Sequence, residues 1–174
     1  MEIEVTVAWE QKIADLWSAF DKLSAADFLA KISALVGELP ENHAIGLFEL
    51  ASANDSTGNE AVAAPLYEKA LKKGLSGLRR RRANIQLAST LRNLGKPMQS
   101  VKILIKELNS PSDELDDAVI AFLALALIDT GKEKQAAAIA LSALAPHLAR
   151  YQKSLKNYAE TILNENPWKP LKFF

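Results

Sequence analysis

Four consecutive arginines, Arg79 to Arg82, are the densest concentration of chemistry in this chain. A guanidinium presents paired, planar donors that match a carboxylate or a phosphate. On a helix, neighbouring side chains diverge by about 100°, so such a run covers every face and only part of it can serve one ligand. Arg82 shares a broad face with Gln86, Ser89, Arg92 and Asn93. An arginine can anchor an acidic group while amides and a hydroxyl hold the peptide backbone beside it. This set is therefore the candidate peptide-binding site, with an acidic segment as its ligand. The competing use of the arginines is structural, as partners for the acidic N-terminal region or for a neighbouring helical unit.

Phosphate binding is a weaker reading of the same residues. Lys69, Lys72, Lys73, Lys96, Lys102 and Lys106 add positive charge, but no aromatic residues interleave with them. No base-reading positions recur, and the formal net charge is zero, so nucleic acid is disfavoured. His43 and His147 lack HExxH spacing or clustered acids, and the chain has no cysteine, so no metal site is expected. Asp113, Glu114, Asp116 and Asp117 suit the start of a helix, where negative charge is favourable. No catalytic residue and no cofactor are expected. Three alternatives to peptide binding stand beside it: structural homo-oligomerisation, an RNA-binding helical repeat, and an enzyme whose site the sequence does not reveal.

The charge is unevenly placed. Residues 1–60 hold 11 acids and 3 bases, residues 61–106 hold 1 acid and 11 bases, and the remainder is close to balanced. The opening "MEIEVTVAWEQK" has acids where a secretory signal carries bases, and no apolar run reaches the length of a membrane span. A cytoplasmic location is the expectation.

The elements that position these residues all read as helices. Residues 7–22 place Trp9, Ile13, Leu16, Trp17 and Phe20 at helical spacing. Ser24 and Asp27 form a capping-box pattern before a second helix that Pro40 ends, and a third should run over about 41–53. Further helices are predicted over 60–73, 77–94, 97–109, 113–130, 132–145 and 147–164. Pro65 falls inside one of them, where it removes a backbone donor and favours a bend.

The breaks repeat. Gly58, Gly95 and Gly131 are 37 and 36 residues apart, and a Leu-Ala pair stands eight residues before each: Leu50-Ala51, Leu87-Ala88 and Leu123-Ala124. Leu91 and Leu127 precede the last two glycines by four residues, where the first copy has Asn54. After the glycines, Ala63, Tyr67, Ala70 and Leu71 form an inward stripe in the first copy. Ser100, Leu104 and Leu108 do so in the second, and Ala136, Ala140, Ala143 and Leu144 in the third. Helix, tight turn, helix at this period is a stacking unit, since neither apolar stripe is stable alone.

Residues 45–145, with "LYEKAL", "IQLASTLRNLG" and "FLALALIDTGK", resemble the tetratricopeptide repeat superfamily, and in particular a bacterial family of such proteins. The resemblance implies an all-α solenoid of antiparallel helix pairs with about three repeats and flanking helices. Capping helices are expected over 7–40, repeats over 41–145 and a further capping helix over 147–164, and the two prolines of "NPWKPLKFF" make 165–174 an extended tail. The resemblance also implies a groove lined by the first helix of each repeat, accepting a protein or peptide. Leu47, Asn84 and Ile120 replace the usual aromatic of those first helices. In the tail, Trp168, Leu171, Phe173 and Phe174 are expected to support a weak homodimer, with a tail folded back within one monomer as the close competitor; Phe122, Leu125 and Ile128 form an apolar face suited to either arrangement.

Overall fold

The computed structural model describes residues 5–165, and every regular element among them is helical. The chain divides into two compact units, one ending at Thr90 and the other beginning at Leu91. The first contains α1 (Val7–Ser18), α2 (Ala25–Val36), α3 (Ala44–Ser56), α4 (Glu60–Lys72) and most of α5 (Gly77–Asn93). The second contains α6 (Pro97–Leu108), α7 (Asp116–Ile128), α8 (Glu133–Leu144) and α9 (Gln152–Glu165).

Within the first unit, α1 packs on α2, α2 on α3, and α3 on α4. Trp9, Ile13, Phe28 and Ile32 are buried on the facing stripes of α1 and α2. Phe28 meets Trp17 and Phe20 edge-on, with ring centroids 4.9 and 4.8 Å away, a favoured aromatic arrangement. The expected helix over 7–22 stops at Ser18 and resumes as a single 3-10 turn, Phe20–Lys22. Ser24 caps α2 by accepting the Asp27 N–H at 3.1 Å. The return bond of the predicted capping box goes from the Ser24 hydroxyl to Asp27, not from the backbone N–H. In the second unit, α6 packs on α7, α7 on α8, and α8 on α9. Leu104, Val119, Leu123, Leu127 and Ile139 form its buried interior.

The repeated corners are alike in atomic detail. Gly58, Gly95 and Gly131 have φ of +79°, +73° and +73°, a left-handed backbone that favours glycine. The residue after each glycine donates its N–H to a carbonyl five positions earlier: Asn59 to Asn54, Lys96 to Leu91, and Lys132 to Leu127. This is the Schellman closure of a helix C-terminus, and it satisfies carbonyls the helix leaves open. Asn54 breaks the sequence pattern without breaking the corner, because the closure uses its backbone carbonyl. Its side chain donates to the Leu50 carbonyl at 2.8 Å. Asn59, Lys96 and Lys132 then take nearly the same conformation as the N-caps of α4, α6 and α8.

Some expected boundaries and faces are displaced. The third helix begins at Ala44, after a turn in which the His43 N–H reaches the Pro40 carbonyl and Asn42 takes φ +61°. The helix expected from 113 begins at Asp116, because the Asp113 carboxylate accepts the Leu115 N–H and holds a turn. The helix expected from 147 begins at Gln152. Ala145–His147 form a 3-10 turn, Tyr151 has φ +70°, and the Gln152 side chain donates to the carbonyls of Pro146 and Leu148. In α8, Ala136 and Ile139 are buried, while Ala140 and Leu144 face outward. The inward stripe there advances by three residues at that step, not four. α4 continues through Pro65, which lies on its exposed side. Trp168, Leu171, Phe173 and Phe174 lie outside the described residues.

Candidate functional site

The arginine run divides by role. Arg79, on the first turn of α5, makes paired contacts to Glu10 of α1, with Nη1 2.9 Å from Oε1 and Nη2 2.5 Å from Oε2. Its Nε lies 3.4 Å from Oε1 of Glu49 on α3, whose other oxygen accepts the Trp17 indole N–H at 2.8 Å. One guanidinium thus ties α1, α3 and α5 together. Glu49 is only 3% exposed, and burial raises its pKa despite the indole hydrogen bond and the nearby charges of Arg79 and Arg82. Arg79 is the more exposed partner. Burial alone would lower its pKa, but Glu10 and Glu49 outweigh that and hold it above the ordinary value.

Arg81 is buried, whereas Arg82 is exposed. The Arg82 guanidinium carbon stands 5.4 Å from the centroid of the Phe48 ring, a cation–π placement that orients the group. Gln86, one turn on, is partly buried and takes a long hydrogen bond from Ser52, 3.4 Å. Ser89 is partly buried on the same helix. In the second unit, Arg92 forms an ion pair with Asp129 at the end of α7, Nε to Oδ2 2.5 Å, and Asn93 is exposed. Of the predicted set, Arg82 keeps the most accessible charge, Gln86 and Arg92 already have partners within the fold, and Ser89 and Asn93 supply polar groups.

A second polar cluster lies beside Gln86. The Thr90 hydroxyl is 2.9 Å from the Asp55 carboxylate and 2.8 Å from the Gln86 carbonyl. The Tyr67 hydroxyl is 3.3 Å from Asp55 and 3.4 Å from Ser52. Burial raises the Asp55 pKa against the hydrogen bonds from Thr90 and Tyr67. Burial, with the Asp55 charge, pushes the Tyr67 phenol far above its usual range. The network fixes α3, α4 and α5 in register. Sequence reasoning offered the acidic N-terminal region as a partner for the arginines without identifying Glu10 or Glu49, and it missed the Asp55 cluster; Glu49 inside the apolar "AIGLFELASA" was a usable signal, since an acid there must find a partner.

At the N-terminal ends of α3 and α5 opens a cleft of about 950 Å³. Its walls come from residues 40–45 and 73–76 with Leu78, Arg79 and Arg82, and Val5 at one side. The histidines are apart from one another: His43 is the N-cap of α3, and His147 is 3.0 Å from Asp117 in the second unit. Among the described residues, no three His, Asp or Glu side chains gather where a metal could be held. No helix among them is long and apolar enough to cross a membrane.

Ion pairs thus lock helices together within each unit, while Arg82 stays exposed against the Phe48 ring. A family model described as Tetratrico peptide repeat matches residues 44–162. No curated protein and no solved structure matches the chain.

Proposed function

The chain belongs to the tetratricopeptide repeat family, and from that premise we propose that it is a non-catalytic module binding an acidic segment of a protein partner. The supporting observation is the contrast among the arginines of α5. Arg79 is held by Glu10 and Glu49, and Arg92 by Asp129, whereas Arg82 is exposed and oriented on an aromatic face. A positioned guanidinium loses little freedom on meeting a carboxylate, which raises the net gain of the contact. Gln86 and Ser89 continue along the helix as hydrogen-bonding groups for the peptide backbone.

The test is fluorescence anisotropy with labelled acidic peptides and neutral peptides of matched length. Acidic peptides should bind more tightly, and added salt should weaken them. Arg82→Ala should raise Kd about tenfold, equivalent to ~1.4 kcal/mol, while Arg92→Ala should change it less because Asp129 already holds that side chain. Circular dichroism establishes that each variant remains helical. Equal binding of acidic and neutral peptides would remove the acidic-partner reading. An unchanged Kd in a folded Arg82→Ala protein would remove Arg82 from it.

A further inference from the structure

The cleft of the first unit has a composition that its place in the fold does not require. Lys73 and Arg82 line it, both exposed, together with Arg79, whose charge is already matched by Glu10 and Glu49. One acid, Glu41, stands against them and accepts a hydrogen bond from the Asn42 side chain at 3.1 Å. Between the charges are apolar walls from Pro40, Ile45 and Leu78, the last 44% exposed. The volume is in the range of built ligand sites and holds a few side chains. The opening turn of α3 adds a favourable field, because the side chain of its N-cap residue makes no capping bond and its first amides carry partial positive charge.

We propose that this cleft is the seat of a carboxylate from the partner segment, with an adjoining apolar residue of that segment against Ile45 and Leu78. The proposal rests on the acidic-partner reading above and adds a location and a motif to it. Arg82 belongs both to the outer face of α5 and to the cleft wall, so a peptide anchored at Arg82 can enter between Lys73 and the start of α3. Lys73 supplies a point charge and Arg82 a planar fork, so the cleft offers two cationic groups to an incoming carboxylate. A purely apolar peptide would leave both cations stripped of water without a partner, which is costly. A strongly hydrated polyanion would leave the apolar walls unused. Charge complementarity and the mixed walls together select a segment in which acidic and apolar residues alternate.

The experiment measures an eight-residue peptide with an alternating acidic and apolar core, its C-terminus amidated, against the full-length protein by anisotropy. Lys73→Glu and Ser76→Glu each place a carboxylate at the cleft, and an acid at Ser76 is compatible with the start of α5. Each should raise Kd at least tenfold. Lys69→Glu makes the same charge reversal on α4 away from the cleft wall, and should stay within threefold. Amidated and free-terminus peptides distinguish a side-chain carboxylate from a terminal one, and binding by either form through Lys73 supports the site. If Arg82→Ala weakens the peptide while Lys73→Glu and Ser76→Glu do not, the cleft assignment is overturned and the acidic-partner reading stands. If no acidic peptide binds in preference to a neutral one, both fail. Single-stranded RNA displacing the peptide and losing affinity in the Lys69, Lys73 and Ser76 variants alike would also overturn the cleft, in favour of diffuse electrostatic binding.

Discussion

Glu49 takes up its proton more readily in the folded chain than in the unfolded one, because burial opposes its charge more than Trp17 and the arginines support it. The folded state binds more protons from the ordinary carboxylate range up to the raised folded value, so stability falls as pH rises through that window. Asp55 contributes in the same direction, also through burial. Glu49→Gln should flatten the stability–pH curve through the range just above ordinary carboxylate titration, as read from urea midpoints. A variant as steep as the wild type would show that Glu49 does not carry the dependence. At this scale the sequence was partly legible. It offered ion pairing to the acidic N-terminal region or a neighbouring unit as a use for the arginine run, and Arg79 does pair with Glu10 and Glu49 of residues 1–60. It did not show which arginine takes which acid, since Glu10, Glu49 and Arg79 are far apart in the chain and meet only after three helices have packed.

The corners at Gly95 and Gly131 belong to the scale of the element. A Cβ built at either glycine meets nothing within 4 Å, so substitution acts through backbone conformation and not through crowding. Gly95→Ala or Gly131→Ala should therefore cost about 1 kcal/mol, the penalty for holding an L-residue in the left-handed region. Thermal or urea unfolding checks this. Glycine spacing made these corners readable, because a left-handed closure needs a residue type that few other roles demand. Helix starts were less readable. The delays to Asp116 and Gln152 depend on side chains of Asp113 and Gln152 bonding to nearby backbone, an option that competes with helix and leaves no periodic trace. Ala140 and Leu144 misled for a related reason: an alanine-rich helix has apolar residues on several faces, and packing decides which one turns inward.

At the scale of the whole molecule, repeat proteins lose structure by neighbourhood, since each helix pair is stabilised by the next. Hydrogen exchange should show this after Gly131→Ala. Amides of Leu123, Leu127 and Ile139, buried in the second unit, should lose protection more than those of Phe48 and Tyr67 in the first. Uniform loss across both units would mean a single cooperative block. The segregated charge of the sequence also has a reading at this scale. Part of the excess acid of residues 1–60 is consumed inside the first unit, where Glu10 and Glu49 meet Arg79, so the surface is less polarised than the linear count suggests.

The indole of Trp17 donates its N–H straight to Glu49. The protein therefore contains its own optical probe of the one carboxylate on which α1, α3 and α5 converge. With Trp9 and Trp168 replaced by phenylalanine, emission from Trp17 should change with pH as the neighbouring charge is neutralised. Its midpoint should lie above that of an ordinary carboxylate, and Glu49→Gln should abolish the transition. Because Arg79 and Arg82 both act on Glu49, a ligand that draws either cation away should displace the midpoint upward. Occupancy at the surface could then be read as a colour change from the interior, without a label on either partner.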